Sequence, residues 1–379
     1  MSNVLEIAKK LNKAYDSNNF IRKADVIPQY RRLTSKAFGI AYPLFGGLPY
    51  GRICEFSGKP HSGKTTAAFA MIADYQRENP NKTCIFVDIE HSLDLQHQVL
   101  MHNINQERLI VITPEVGMSG EQILGVVLEI QLNSDDIGMI VIDSIPALDT
   151  AQNLKTEFEK DNGKRATIAA PLHKFCKEML ASLWAKENIL IFINQVRVKD
   201  VVNGCPIYGE PGGDAPKFYS SVSVRFGTRK FMKEDKELSG NDGKGADGFK
   251  LKFDITKNKT ASTSRGGGFI TYRYIGGMDW LFDLFQIACD FDFIPQSGSY
   301  FSLIDLDTGE VLKDENGKDL KRYKKDLIAY LKENEAFRNS YIDMLQRHIV
   351  ADNTLTKDLL DEETSKEIKE EEANVVIDK

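Results

Sequence analysis

Residues 58–66 read GKPHSGKTT, a glycine, four residues, then Gly-Lys-Thr. Few folds accommodate that spacing. Glycine at each end permits a turn and a close backbone approach that a Cβ would forbid, so successive N–H groups can converge on one anion. The apolar RICEFSG before it and the helix-compatible KTTAAFAMIADYQREN after it predict a strand, a loop, and a helix that starts at the loop. Such a joint cradles phosphates. Gly58, Lys59, Pro60, His61, Ser62, Gly63, Lys64, Thr65 and Thr66 are therefore the candidate nucleotide-binding stretch. Lys64 supplies a cation for β- and γ-phosphates, and Thr65 a hydroxyl for Mg2+.

Downstream, TCIFVDIE, IGMIVIDS and NILIFINQ are continuous β-branched and aliphatic runs, separated by helical stretches at 119–132 and 169–187. Strands buried on both faces read this way, so the predicted class is α/β with a mostly parallel sheet. Each run ends on polar residues. Asp143 can hold the water shell of a magnesium ion opposite Thr65, and Glu90 can orient or deprotonate an attacking water. Asn194 and Gln195 offer an amide to a γ-phosphate. Ordinary strand-end turns are the alternative for each.

Two stretches lie downstream of these strand ends on the same side of the predicted sheet. One runs from 150 to 169 and carries Lys160, Lys164 and Arg165; the other, 196–217, is rich in Gly and Pro and carries Arg197 and Lys199. Long structureless loops in compact domains tend to be functional or disordered, and this pair suits a phosphate-backbone ligand, with plain solvated loops as the alternative. Beyond 218 the pattern alternates like antiparallel strands. A smaller unit follows, with hairpin signals at DTGE and ENGK and one helix from KDLIAYL to QRHI. The net charge is −6, the balance of 352–379 alone (ten acidic, four basic residues), while residues 1–40 carry eight Lys/Arg against three Asp/Glu. That segregation fits either a solvated tail or one that competes with a polyanion for the body. A helix is predicted near 4–15. The five cysteines form no CxxC, and Cys54 and Cys84 lie in core-like runs, whereas Cys205 sits in a glycine-proline loop. No run reaches membrane-spanning length and no signal peptide is evident, so cytoplasm is the expected compartment.

GKPHSGKTT, FVDIEHSLD, IVIDS, IFINQVRVK, GGDAPKFYSSV and ITKNKTA, in this order, resemble the bacterial RecA-type recombinase family, RecA- and UvsX-like DNA strand-exchange ATPases. The likeness extends over roughly 30–350. It implies a RecA-like P-loop ATPase core at 33–270, after an N-terminal helix and linker at 1–32 that pack on a neighbouring subunit. A C-terminal α+β lobe at 271–351 and an acidic disordered tail at 352–379 complete the expected order. It also implies ATP and Mg2+ as ligands, and DNA-dependent hydrolysis in a helical homo-filament on single-stranded DNA, with pairing to double-stranded DNA. Recombination, repair and the SOS response to DNA damage would be the setting, and single-strand-binding and mediator proteins further partners.

On the matching positions, Glu90 would be the general base and Gln195 the γ-phosphate sensor. Lys257 and Lys259 would reach a neighbour's nucleotide, and Asp94 and His97 would lie at the adenine. Lys164, Arg165, Lys177, Arg197, Lys199, Tyr208, Gly212 and Gly213 would lie at the DNA. Departures are Asn203 in place of a family aromatic, with Tyr208 as a shifted substitute, a more basic KDNGKRAT, and Pro60-His61 in place of an acidic-small pair. A hexameric DNA helicase on the same fold and a non-catalytic recombination mediator are the alternative readings. The KNK segment and C-terminal lobe disfavour the first; the full set Lys64, Thr65, Glu90 and Asp143 disfavours the second.

Overall fold

The buried β-branched runs form the strands expected of them. In the computed structural model, which describes residues 2–14, 30–155, 167–202, 205–209, 212–239, 243–261, 266–290 and 292–348, these are Ile53–Gly58 (β1), Thr83–Asp88 (β2), Ile137–Asp143 (β4) and Ile189–Gln195 (β5). Leu109–Ile112 (β3) joins them; its four residues are too few to announce a strand by periodicity. Next come Arg197–Val202 (β6) and Cys205–Gly209 (β7), then Val222–Phe226 (β8), Lys230–Lys233 (β9), Lys236–Glu237 (β10), Gly248–Asn258 (β11), Gly267–Arg273 (β12) and Gly277–Met278 (β13).

One eleven-stranded sheet has the order β10-β9-β11-β8-β1-β5-β4-β2-β3, with β12 beside β11 and β13 beside β12. From β3 to β8 the neighbours run parallel, and from β8 outward antiparallel. The antiparallel pattern expected beyond 218 holds for β8 and β9 against β11, and is corrected only on the other edge of β8, which runs parallel to β1, a long-range pairing with no local signal. The 196–217 segment is also corrected. β6 and β7 pair as a separate antiparallel ribbon, because the β-branched content of RVKDVV outweighs the Gly and Pro around it.

Helices cover both faces of the sheet. They are Phe38–Ala41 (α2), Lys64–Glu78 (α3), Leu95–His102 (α4), Gly120–Asn133 (α5), Ala151–Leu154 (α6), Ala169–Lys186 (α7) and Ala215–Tyr219 (α8). The row Phe86, Val141, Ile191, Cys54, Val222 crosses the sheet in register and packs with α3. One residue on, Val87, Ile142 and Phe192 face the other way and pack with α5 and α7. Alternation by two thus builds two cores from one sheet, each fully buried aliphatic side chain adding roughly 1.5–3 kcal/mol. The cap of α5 is written in its sequence: Ser119 accepts from the Gln122 N–H while the Gln122 side chain accepts from the Ser119 N–H.

Downstream come Trp280–Asp290 (α9), Gln296–Ser297 (β14), Tyr300–Ser302 (β15), Lys321–Tyr323 (β16), Lys324–Glu333 (α10) and a helix at 335–348 (α11). Leu284, Phe285, Leu327 and Leu345 form a third core with Phe38 and Tyr42 of the α2 segment. The boundary expected at 270/271 falls inside β12, which stays hydrogen-bonded to β11 from Gly267 to Arg273. The single helix expected at the end is two, parted at Asn334, whose backbone leaves helical geometry. The hairpin signals correspond to isolated bridges, Ile304 with Val311 and Lys313 with Asp319.

Residues Met1–Arg31 make a unit of their own. Its helix, Ser2–Ala14 (α1), leaves Val4, Ile7 and Leu11 exposed. Among the described residues no helix is long and apolar enough to cross a membrane.

Candidate functional site

The parallel strands β1, β2, β4 and β5 deliver their carboxyl ends to one rim, and the polar residues that close them meet there. β1 runs into the glycine loop. Lys59, Pro60 and His61 are its exposed crest, while Ser62 and Lys64 are buried. Gly63 caps α3 at φ +88°, and a Cβ there would stand 2.4 Å from Leu251 Cδ2, so both conformation and space require glycine. The Lys64 ammonium donates to the Lys59 carbonyl at 2.9 Å, across the loop. Burial lowers its pKa, while the Asp143 and Glu90 carboxylates pull it back up.

Thr65 opens α3 and Asp143 closes β4, and the Thr65 hydroxyl donates to Asp143 Oδ2 at 2.6 Å. Burial pushes the Asp143 carboxyl up to about 6; the Thr65 donation lowers it, Glu90 and Asp88 raise it, and Lys64 lowers it. A carboxylate and a hydroxyl are hard oxygen donors, suited to a magnesium ion that keeps several waters and phosphate oxygens. Among the described residues no group of three or more His, Cys, Asp or Glu is placed to hold a metal ion.

Glu90 is exposed just past β2. Its Oε1 accepts from the Ser144 hydroxyl and from Gln195 Nε2, the latter at 2.7 Å. Gln195 Oε1 in turn accepts from Arg197 Nη2 at 3.0 Å. Asn194 points elsewhere. Its amide is buried and donates to Glu55 Oε1 at 3.0 Å, so of the two amides predicted at this strand end, Gln195 alone faces the rim. Ser144 was not among the predicted residues; a serine beside a strand-end Asp gives no sequence signal, and its partner lies 54 positions away.

Arg197 begins the β6–β7 ribbon. Gly212 and Gly213 follow it at φ +92° and +70°, and a Cβ on Gly213 would meet Ala169 Cβ at 2.9 Å. The second loop therefore closes against the start of α7. Tyr219 of α8 and His173 of α7 extend this contact, with the hydroxyl 3.0 Å from Nε2. Lys177 is exposed one turn further along α7. Lys257 and Lys259 lie together at the end of β11, both ammoniums on the carbonyl oxygen of Phe218 at the C-terminus of α8, and Lys257 also on that of Lys217. Burial and then the charge of Lys259 lower the Lys257 pKa.

Asp94 and His97 are exposed at the start of α4, where Asp94 Oδ1 accepts from the His97 N–H at 3.1 Å; the cap occupies this carboxylate oxygen locally. Lys164 and Arg165 lie outside the described residues, as do Lys160 and Asn203, and the side chains of Lys199, Cys205 and Tyr208 are likewise outside them.

A parallel sheet with its polar strand ends gathered over a glycine loop of this kind is the architecture of P-loop nucleoside triphosphatases. Comparison with known proteins narrows the class. Residues 7–272 match the family model of the RecA N-terminal domain. The RecA protein of Ehrlichia ruminantium (strain Gardel) is 34% identical over 296 residues, 76% of this chain and 75% of its own length. That of Ehrlichia canis (strain Jake) is 31% identical over 342 residues, 89% of this chain and 84% of its own. Among solved structures, the RadB recombinase overlaps 63% of this chain at 17% identity and a TM-score of 0.43, a likeness too distant to bear on function. The chain belongs to the RecA family and is an ATP-dependent recombinase of DNA recombination and repair.

Proposed function

We propose that this chain polymerises on single-stranded DNA as a helical homo-filament, hydrolyses ATP to ADP and phosphate when so bound, and carries out homologous pairing and strand exchange with duplex DNA. The observation that carries the reading is the run of contacts from Arg197 through Gln195 to Glu90. A candidate water-activating carboxylate is thereby only two side chains from the loop that would grip the polymer.

In this reading the 58–66 loop wraps the triphosphate, with Lys64 neutralising the β- and γ-oxygens. Thr65 and Asp143 would hold Mg2+, which when bound shields the phosphate charge. Glu90 orients or deprotonates the attacking water, and Gln195 senses the γ-phosphate. Asp94 and His97 lie toward the base. Lys257 and Lys259 serve the nucleotide of an adjacent subunit, and α1 offers its exposed apolar residues to that neighbour. Lys164, Arg165, Lys177, Arg197, Lys199, Tyr208, Gly212 and Gly213 contact DNA, chiefly its backbone.

Strand exchange between a circular single strand and a homologous linear duplex tests the reading, with ATP and with a non-hydrolysable analogue, alongside electron microscopy. Joint molecules and helical filaments are expected with both nucleotides. Rings and duplex unwinding without joint molecules would favour a helicase instead, and DNA binding with neither would leave a mediator.

A further inference from the structure

Glu55 sits in the middle of β1 at 1% exposure, the one carboxylate of that strand. Ile53, two residues earlier on the same face, and Phe192, its register partner on β5, belong to the apolar core against α5 and α7. A hydrophobic side chain would pack here without the desolvation that a buried carboxylate costs. What the carboxylate does instead is written in its hydrogen bonds.

Both of its oxygens meet donors from neighbouring strands. The Ser223 hydroxyl, level with Glu55 on β8, donates to Oε2 at 3.4 Å, and Asn194 Nδ2 on β5 donates to Oε1 at 3.0 Å. Asn194 is itself 1% exposed. A carboxylate only accepts, so it turns the nitrogen of the Asn194 amide toward itself and leaves Oδ1 for a donor. That oxygen accepts from the Gln195 N–H at 2.9 Å.

No ladder partner is left for this N–H. Successive N–H groups of a strand point to opposite neighbours. The Val196 N–H goes to the Gly58 carbonyl of β1 at 3.0 Å, so that of Gln195 faces the β4 side. β4 has ended there: its last residue, Asp143, is level with Ile193. The backbone at Gln195 is thus held by a side chain that Glu55 holds in turn. From that backbone the Gln195 side chain donates to Glu90 at 2.7 Å and accepts from Arg197 at 3.0 Å.

We propose that Glu55 is a positioning residue for the γ-phosphate sensor, setting through Asn194 the backbone from which Gln195 meets Glu90 and Arg197. This rests on the sensor role proposed above for Gln195. The readout is the ratio of kcat with single-stranded DNA to kcat without it, on proteins that thermal melts show to be folded; a merely structural role does not move that ratio. Glu55→Gln keeps an acceptor for Asn194, and its ratio should stay within about twofold of the parent's. Asn194→Asp sets two carboxylates against each other and should cut the ratio about tenfold, as loss of one charge-assisted hydrogen bond does. The double variant reverses the bond: the new amide donates to the new carboxylate, whose second oxygen still accepts from the Gln195 N–H. Its ratio should return to within about threefold of the parent's. That recovery supports the role, and a double variant no better than Asn194→Asp overturns it. A folded Glu55→Leu protein with the parent's ratio overturns it as well; should that protein not fold, the isosteric pair decides alone. Gln195→Ala separates the two claims. If it abolishes stimulation while Glu55→Leu does not, the role of Glu55 falls and the sensor stands; if it leaves stimulation intact, the sensor reading falls and this proposal with it.

Discussion

Glu90 carries two donated hydrogen bonds on a single oxygen, one from Ser144 and one from Gln195. Two donors on one oxygen fix the carboxylate's orientation. If Glu90 activates water, Glu90→Gln will keep ATP-bound filaments while turnover falls on the order of 100-fold or more. Single-turnover hydrolysis on filaments checks this, and near-normal rates would remove Glu90 from the chemistry. Gln195→Ala makes a different demand. It removes both the donor to Glu90 and the acceptor for Arg197, so ATP affinity should hold while stimulation of hydrolysis by single-stranded DNA disappears. A mutant still stimulated as strongly as the parent would disprove communication by this route. Gly63→Ala forces a Cβ into the Leu251 side chain at a left-handed φ. A cost of about 1–3 kcal/mol in unfolding free energy, with loss of nucleotide binding, is expected from denaturant titration and nucleotide fluorescence.

Elements differed in how plainly the sequence announced them. β1, β2, β4 and β5 were legible because burial on both faces leaves an unbroken apolar run, and the glycine loop because its spacing has few other uses. β3 was too short, and the β6–β7 ribbon was hidden by its Gly and Pro. Apolar periodicity runs on through Asn334, so the break between α10 and α11 had no signature. In the site, the identities of Lys64, Thr65, Asp143, Glu90 and Gln195 could be read, but their mutual contacts could not. Those depend on strand order, which brings together residues as distant as Glu90 and Gln195.

Strand order also seats α9 on β12. Asp283 of α9 is fully buried, and its Oδ2 accepts from the Thr271 N–H at 2.7 Å. Burial pushes its carboxyl up to about 7 from an ordinary 3.8, against the Thr271 donation and the Lys250 charge, with Asp279 adding to the rise. Tyr272, buried nearby, is raised well above its usual range, in part by the Asp283 charge. Ionisation therefore costs more in the folded chain than in the unfolded one. Stability present at about pH 4 should be lost progressively as pH rises through 7. In thermal melts Asp283→Asn should flatten this decline; parallel curves for the two proteins would show that Asp283 does not titrate in that window.

Across the whole molecule, charge is segregated rather than large. The last 28 residues carry the entire net charge of −6, leaving the remainder neutral overall with a basic N-terminal arm. If the tail competes with DNA for basic surface, deleting 352–379 will tighten duplex binding at low salt, with the gain shrinking as salt rises. Equal affinities over a salt series would leave the tail inert.

The match to the RecA N-terminal domain stops at 272, one residue short of the end of β12. A chain cut there would shed Arg273 and the whole lobe, and with them the cover over Phe38 and Tyr42. Anyone trimming this protein to a minimal ATPase at that point should expect a sticky, self-associating product. Any enzymatic deficit it showed would report on a bared aromatic face before it reported on the lobe's own contribution.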